Sequence, residues 1–389
     1  MRKPYIIFDE GDGVDVLVRA EPSGRSTRKR VPVKVKELDD DEAQTLRRDP
    51  SKGVAPADVP MRLIQPKRRS ARGLAAATVW GLDAVGATTS TCTGKGIRVA
   101  VLDTGLKREH EAFKSLNKDR IVGRNFTDGK ADDFRDVEGH GTHCAGTIAG
   151  GIVSGRKIGI APDIDRLIVG KVLGPGGGSN SALIDAIDWA VREQRAQIVS
   201  MSLGIDFVGL TKRWEMGGLP RPAAISRALQ EYRETVNVFG KLADFLATQN
   251  VLLIAATGNE SNRPKFTVDV APPAASEHFM KVGAVGKTNG GGAYSVAGFS
   301  NTGADIVGPG VGILSADISG DLVSLDGTSM ATPHVAGIAA LWGEFLVKRN
   351  GQVSYQDIKT ELLGNASRIA GSQQDFGRGL VQAPQGEAS

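Results

Sequence analysis

From residue 97 onward, short apolar runs alternate with stretches of helical spacing, and this alternation limits the fold more than any other feature. Residues 97–102, 167–173, 198–203, 251–256 and 280–285 have the length and β-branched content of buried strands. Between them, residues 181–195 and 224–248 repeat their apolar positions at helical spacing. Strands separated by helices form βαβ units, so the expectation is an α/β fold: a mainly parallel sheet flanked by helices. Such sheets carry their sites outside the carboxyl ends of the strands. The 50 glycines in 389 residues fit a chain with many tight turns and close backbone approaches.

The first 66 residues read differently. Residues 5–8, 14–18 and 61–64 look like short strands, and 39–48 like a helix with acids in its first turn and arginines in its last. This predicts a small α+β region, followed by a basic linker at 67–77 and the main domain at 78–389. Residues 1–77 hold 17 Lys/Arg against 12 Asp/Glu, while the remainder holds 31 against 32. The net charge of +4 therefore belongs to the N-terminal segment. Its runs, Arg28-Lys29-Arg30 and Lys67-Arg68-Arg69, lack interleaved aromatics and read as a solvated basic stretch, so no nucleic-acid partner is expected. The apolar run after Met1 is shorter than the ~7–15 residues of a secretory signal, and no stretch approaches the ~18 of a membrane span. A cytoplasmic protein with no membrane partner is the expectation; a natural start elsewhere would allow secretion. Two cysteines, Cys92 and Cys144, exclude a disulfide-dense scaffold and leave one bridge or two free thiols open.

Three segments carry candidate chemistry. In Val99-Ala-Val-Leu-Asp-Thr-Gly105 an apolar strand ends in Asp103, which alone would be an ordinary turn former. In Gly139-His-Gly-Thr-His-Cys-Ala-Gly146, His140 sits between glycines where a loop enters a helix; His143, one turn on, reads as a core histidine or as half of a metal pair that lacks a third ligand. In Gly327-Thr-Ser-Met-Ala-Thr-Pro-His-Val-Ala-Gly337, Ser329 precedes an apolar helix at 335–346, with Pro333 read as part of its first turn. A lone serine there would be an N-cap. Three such blocks in the order Asp, His, Ser, read together, displace that N-cap reading.

These blocks resemble those of the subtilisin-like serine proteases, or subtilases, over about residues 80–381. The resemblance implies a serine endopeptidase acting on a peptide or protein substrate through an acyl-enzyme on Ser329. His140 would be the general base and Asp103 its orienting partner. Ile254-Ala-Ala-Thr-Gly-Asn-Glu260 is similar to the family block whose asparagine binds the oxyanion, which assigns that role to Asn259 beside the Ser329 N–H. Ser200, Met201, Ser202, Leu203 and Gly204 would line one side of the substrate groove, and Leu173, Gly174 and Gly176 the other. Ala255, Ala256, Thr257 and Gly258 would shape a roomy, largely apolar S1 pocket, with Glu260 near its rim. No cofactor is required and no metal ligand is assigned. The family's best-known calcium site has no matching oxygen ligands in 109–113 or 150–158, although calcium elsewhere stays open. The stretch 206–250 is longer than usual for the family and reads as a lid, an exosite or an inert insertion. Residues 1–66 lie where subtilases carry a propeptide, which implies a cis inhibitor whose end approaches the groove. Two further readings use the same scaffold: a peptide ligase or macrocyclase, and a catalytically silent peptide binder.

Overall fold

The computed structural model describes residues 2–9, 29–68, 79–288 and 293–386. Its centre is an eight-stranded sheet. Across the sheet the strands run Tyr294–Val296, Met280–Lys287, Leu252–Ala256, Ile198–Met201, Arg98–Asp103, Arg166–Lys171 and Ile121–Asn125, with Ile306–Pro309 also paired to Met280–Lys287. All pairs are parallel except the one made by Tyr294–Val296. The chain order reverses at Arg98–Asp103, which lies between the strands at 166 and 198. Asp103 therefore ends its strand where an open α/β sheet forms its crevice.

Side chains of the central strand alternate between two cores. Val99 and Val101 face the helices His140–Ala149 and Thr328–Asn350, while Ala100 and Leu102 join Ile184, Phe239 and Leu242 from Asn180–Asp188 and Arg221–Thr248. Every residue from Thr328 to Glu344 is buried. Among the described residues Thr328–Asn350 is the helix long and apolar enough to cross a membrane, and it is the core helix of this domain.

The five expected strands and both expected helices are present, and two further parallel strands were not foreseen. Ile121–Asn125 is partly exposed at the sheet edge and interrupted by Gly123 and Arg124, and Ile306–Pro309 is four residues ended by proline. The run 198–203 is not one strand: Leu203–Ile205 leaves the main sheet and pairs with Pro60–Leu63. The serine helix starts at Thr328, so Pro333 lies inside it rather than in its first turn.

The N-terminal region is a three-stranded antiparallel sheet, Val33–Leu38, Lys3–Asp9 and Lys52–Pro56, with the helix Asp40–Arg47. The helix opens on a capping box: Asp39 accepts the Glu42 N–H and Glu42 accepts the Asp39 N–H. Strand alternation again divides the side chains. Tyr5 and Ile7 pack with Leu38, Ala43 and Val54 beneath that helix. Ile6 and Phe8 turn the other way, into the core containing Phe239, Leu242 and Phe245 of Arg221–Thr248. Burying side chains of this size contributes about 1.5–3 kcal/mol each. The stretch 206–250 thus forms the helices Phe207–Met216 and Arg221–Thr248, and the second backs the N-terminal sheet. The expected strand at 14–18 lies outside the described residues.

Candidate active site

Asp103 ends its strand, and His140 is the first residue of His140–Ala149. Asp103 Oδ1 lies 2.8 Å from His140 Nδ1 and also accepts the Thr104 N–H at 2.7 Å. A carboxylate can only accept, so Nδ1 carries the ring proton and Nε2 is left as the acceptor. The pair is buried. Burial by itself lowers the imidazole's proton affinity, but the adjacent Asp103 carboxylate outweighs it and holds His140 well above the ordinary histidine value. Gly141 makes the approach possible, since a Cβ there would lie 2.3 Å from the Gly105 carbonyl oxygen. Asp136, which the sequence reading missed, ties the two segments together. It accepts from Thr104 Oγ1 at 2.9 Å, the Gly139 N–H at 2.9 Å and the Thr142 N–H at 2.8 Å.

Ser329 is the second residue of its helix and is fully buried in this arrangement. Pro333 has no N–H for the carbonyl four residues back, so the Ser329 carbonyl is freed inside the helix. That oxygen accepts from Ser202 Oγ at 3.2 Å and Cys144 Sγ at 3.4 Å. Both cysteines are buried and free. Burial pushes the Cys144 thiol up, so it stays neutral beside His140. Asn259 faces the serine: its Oδ1 accepts the Thr328 N–H and Oγ1–H, each at 2.9 Å, which turns Nδ2 outward.

An extended stretch of the chain itself crosses this site. Pro60–Leu63 pairs antiparallel with Leu203–Ile205 on one side and with Gly178–Ser179 on the other. Its register sets Arg62 opposite Gly204 and Leu63 opposite Leu203. Beyond the serine, Lys67–Arg68 pairs with Leu322–Asp326, so these residues are a strand rather than the start of a linker. Between the two paired stretches, Ser329 Oγ–H donates to the Ile64 carbonyl at 3.1 Å, and Asn259 Nδ2 donates to the Gln65 carbonyl, also at 3.1 Å. His140 Nε2 has no hydrogen-bond partner among the described residues.

The expected groove residues divide. Gly204, Ala256, Thr257, Gly258 and Glu260 line a crevice together with Ile205, Ala271 and Ile64. Ser200, Met201 and Ala255 are buried in the main sheet instead, because their strand sections lie within its parallel ladder. On the opposite wall the pairing backbone is Gly178–Ser179, while Gly174 closes a tight turn with Gly177 and Leu173 donates its N–H to the Asp103 carbonyl. Gly176 lies in that turn and joins no β-bridge among the described residues. His143 is buried with Nε2 3.0 Å from the Ile313 carbonyl, and burial drives it down to about 3. It is a core histidine. The stretch corresponding to the family's calcium loop is a hairpin, Ile152–Val153 against Arg156–Lys157, without a side-chain carboxylate or amide, and it does not fit that ion.

A model of the subtilase family, peptidase S8, matches residues 94–379, and the chain belongs to that family. It is 32% identical over 298 residues to an intracellular serine protease of Paenibacillus polymyxa, covering 74% of this chain and 79% of the relative. It is 37% identical over 255 residues to the major intracellular serine protease of Bacillus subtilis, covering 64% and 68%. Alkaline elastase YaB of a Bacillus species is 32% identical over 358 residues, covering 91% of this chain and 79% of that relative. The chain is a subtilisin-like serine endopeptidase, a hydrolase acting on peptides or proteins.

Proposed function

We propose that Ser329 is the nucleophile of this endopeptidase, His140 its general base, Asp103 the group that orients and charges that base, and Asn259 an oxyanion donor. One observation carries the reading: two adjacent carbonyls of a single extended peptide meet Ser329 Oγ and Asn259 Nδ2. A substrate lying along Leu203–Ile205 as an added strand would present its scissile carbonyl between the same two groups. The Ser329 hydroxyl would then pass its proton to His140 Nε2 as it attacks. Asn259 Nδ2 and the Ser329 N–H would take up the charge developing on oxygen. His140 would return the proton to the leaving amine.

We infer further that the N-terminal region inhibits this site in cis. The serine hydroxyl holds the Ile64 carbonyl while the oxyanion donor holds the next one, which precedes Pro66. Nucleophile and donor thus address different carbonyls, which is not an attack geometry. Pairing on both sides of the serine keeps the segment in place. The match to the alkaline elastase leaves too little of this chain uncovered to omit the N-terminal region. Our reading places the protein in the cytoplasm, in line with two relatives named as intracellular. It needs no cofactor and has no nucleic-acid or membrane partner; the described basic side chains Lys3, Arg47 and Lys52 pair with acids of the protein itself.

Ser329→Ala should reduce peptide hydrolysis to background and leave the melting temperature within a few degrees. Asn259→Ala should lower kcat about 10²–10³-fold, the size seen when a subtilisin loses this donor, with little change in KM. Normal hydrolysis by the serine variant would refute the assignment.

A further inference from the structure

The oxyanion donor sits in a loop, 257–261, that belongs to no helix or strand. A donor of this kind must be held within about 0.5 Å of its working position. Thr328 fixes the side-chain amide of Asn259, and among the described residues its bond to the loop backbone is from the Gly258 N–H, at 3.3 Å. The backbone of the loop is held from elsewhere.

Asn301, fully buried, supplies the hold. Its Oδ1 accepts the N–H groups of Glu260 at 3.1 Å and Ser261 at 3.0 Å, and the Ser261 hydroxyl at 3.2 Å. Its Nδ2 donates to the Thr257 carbonyl at 3.1 Å and to Glu260 Oε2 at 2.8 Å, with the Asp269 carbonyl at 3.4 Å. Its own N–H donates to the Gly258 carbonyl at 3.1 Å. One residue therefore bonds every member of the loop except Asn259. Gly258 completes the fit: its φ is +116°, and a Cβ on it would lie 2.3 Å from Asn301 Nδ2.

We propose that Asn301 is the positioning residue of the oxyanion hole. It clamps the backbone on both sides of Asn259 while Thr328 sets the amide's rotation. Through its bond to Glu260 it also fixes a carboxylate on the wall of the adjacent crevice. This rests on reading Asn259 as the oxyanion donor, so the test separates the two claims.

The test is a double-mutant cycle on the full chain: wild type, Asn301→Ala, Asn259→Ala and the double variant, with turnover expressed per fluorophosphonate-titrated site. Asn301→Ala should lower kcat about 10–10²-fold, the cost of misplacing a catalytic group by about 1 Å, with KM changed less than about twofold. In the Asn259→Ala background the same change should cost less than about twofold, because the group it positions is already gone. Asn301→Ser, which keeps a buried hydroxyl for the loop and places no charge against Glu260, should show the same dependence with a smaller loss, and serves if the alanine variant does not fold. Equal costs in both backgrounds would overturn the positioning role while sparing Asn259. An unchanged kcat in Asn259→Ala would overturn the oxyanion reading and this proposal with it.

Discussion

The seam inside the catalytic domain and the seam between that domain and the N-terminal sheet are both well packed, but they are made of different material. Where Thr328–Asn350 meets the main sheet the core is apolar, with Met330, Ala331, Val335 and Leu341 clustered with Val99, Ile198, Ile254 and Met280. The buried carboxylate there, Glu344, accepts three backbone N–H groups, from Thr93, Gly94 and Lys95, at 2.7–3.0 Å. The other seam has an apolar centre, with Phe8 edge-on to Phe245, surrounded by ionisable groups. Arg47 pairs with Glu234 at 2.7 Å and Arg227 with Asp40 at 3.0 Å, and Trp214 Nε1–H donates to Glu231 at 3.2 Å. Burial pushes Tyr5 up to about 12, helped by its bond to Asp40, and raises both Glu231 and Glu234. Such groups lose hydration on docking, so they add little net strength and much discrimination. The first seam is suited to permanence and the second to a specific but reversible fit.

That contrast can be broken in three ways, in descending order of effect. Glu344→Ala removes the acceptor of three N–H groups: that of buried Gly94 bears the full cost of about 1–3 kcal/mol, and those of Thr93 and Lys95 each lose a bond to a charged group worth about 1.5–3 kcal/mol. Thermal melting should therefore show the larger loss of stability, with the cleft still blocked. An unchanged melting temperature would show that the carboxylate is dispensable. Glu234→Ala takes from Arg47 its carboxylate partner at the docking seam, and a hydrogen bond to a charged group is worth about 1.5–3 kcal/mol. Hydrolysis by the uncut chain should rise roughly tenfold while the melting temperature of the catalytic domain holds; unaltered hydrolysis would mean that the pair does not support docking. The smallest effect is on pH dependence. His140 must be neutral to act as base, and Asp103 favours its charged form, so the proton leaves only at higher pH. The rising limb of kcat/KM should have its midpoint above the ~6.5 of a free imidazole. A midpoint at or below that value would remove Asp103 as the cause.

The two regions also differ in how far they could be read from sequence. Asp103, His140, Asn259 and Ser329 stood out because each lies in a short block that resembles one of the family's, although alone Asp103 would be a turn former, Asn259 a turn and Ser329 an N-cap. The strands at 98 and 198 were visible as apolar runs. Ile121–Asn125 was not, because an edge strand needs only one buried face and its glycine and arginine interrupt the run. Asp136 and Asn301 were invisible for a different reason: each acts through groups distant in sequence, the Thr104 hydroxyl 32 residues away for Asp136 and groups of the loop at 257–261, 40 or more residues away, for Asn301. The partners of Arg47 and Asp40 on a helix near residue 230 leave no local pattern either. The stretch 206–250, read as a lid, exosite or inert insertion, shows its packing only once the sheet at residues 3–56 is placed against it.

The central claim is that the segment around Ile64 and Gln65 occupies the groove in front of Ser329. It is tested most directly by the rate at which a fluorophosphonate labels the full, uncut chain, compared with the same chain carrying Ile64→Gly and Gln65→Gly, with the modified peptide located by mass spectrometry. The account predicts a single label on Ser329, acquired slowly by the native chain and at least about tenfold faster by the variant. Equal rates in the two chains, or a label on any other residue, would contradict it.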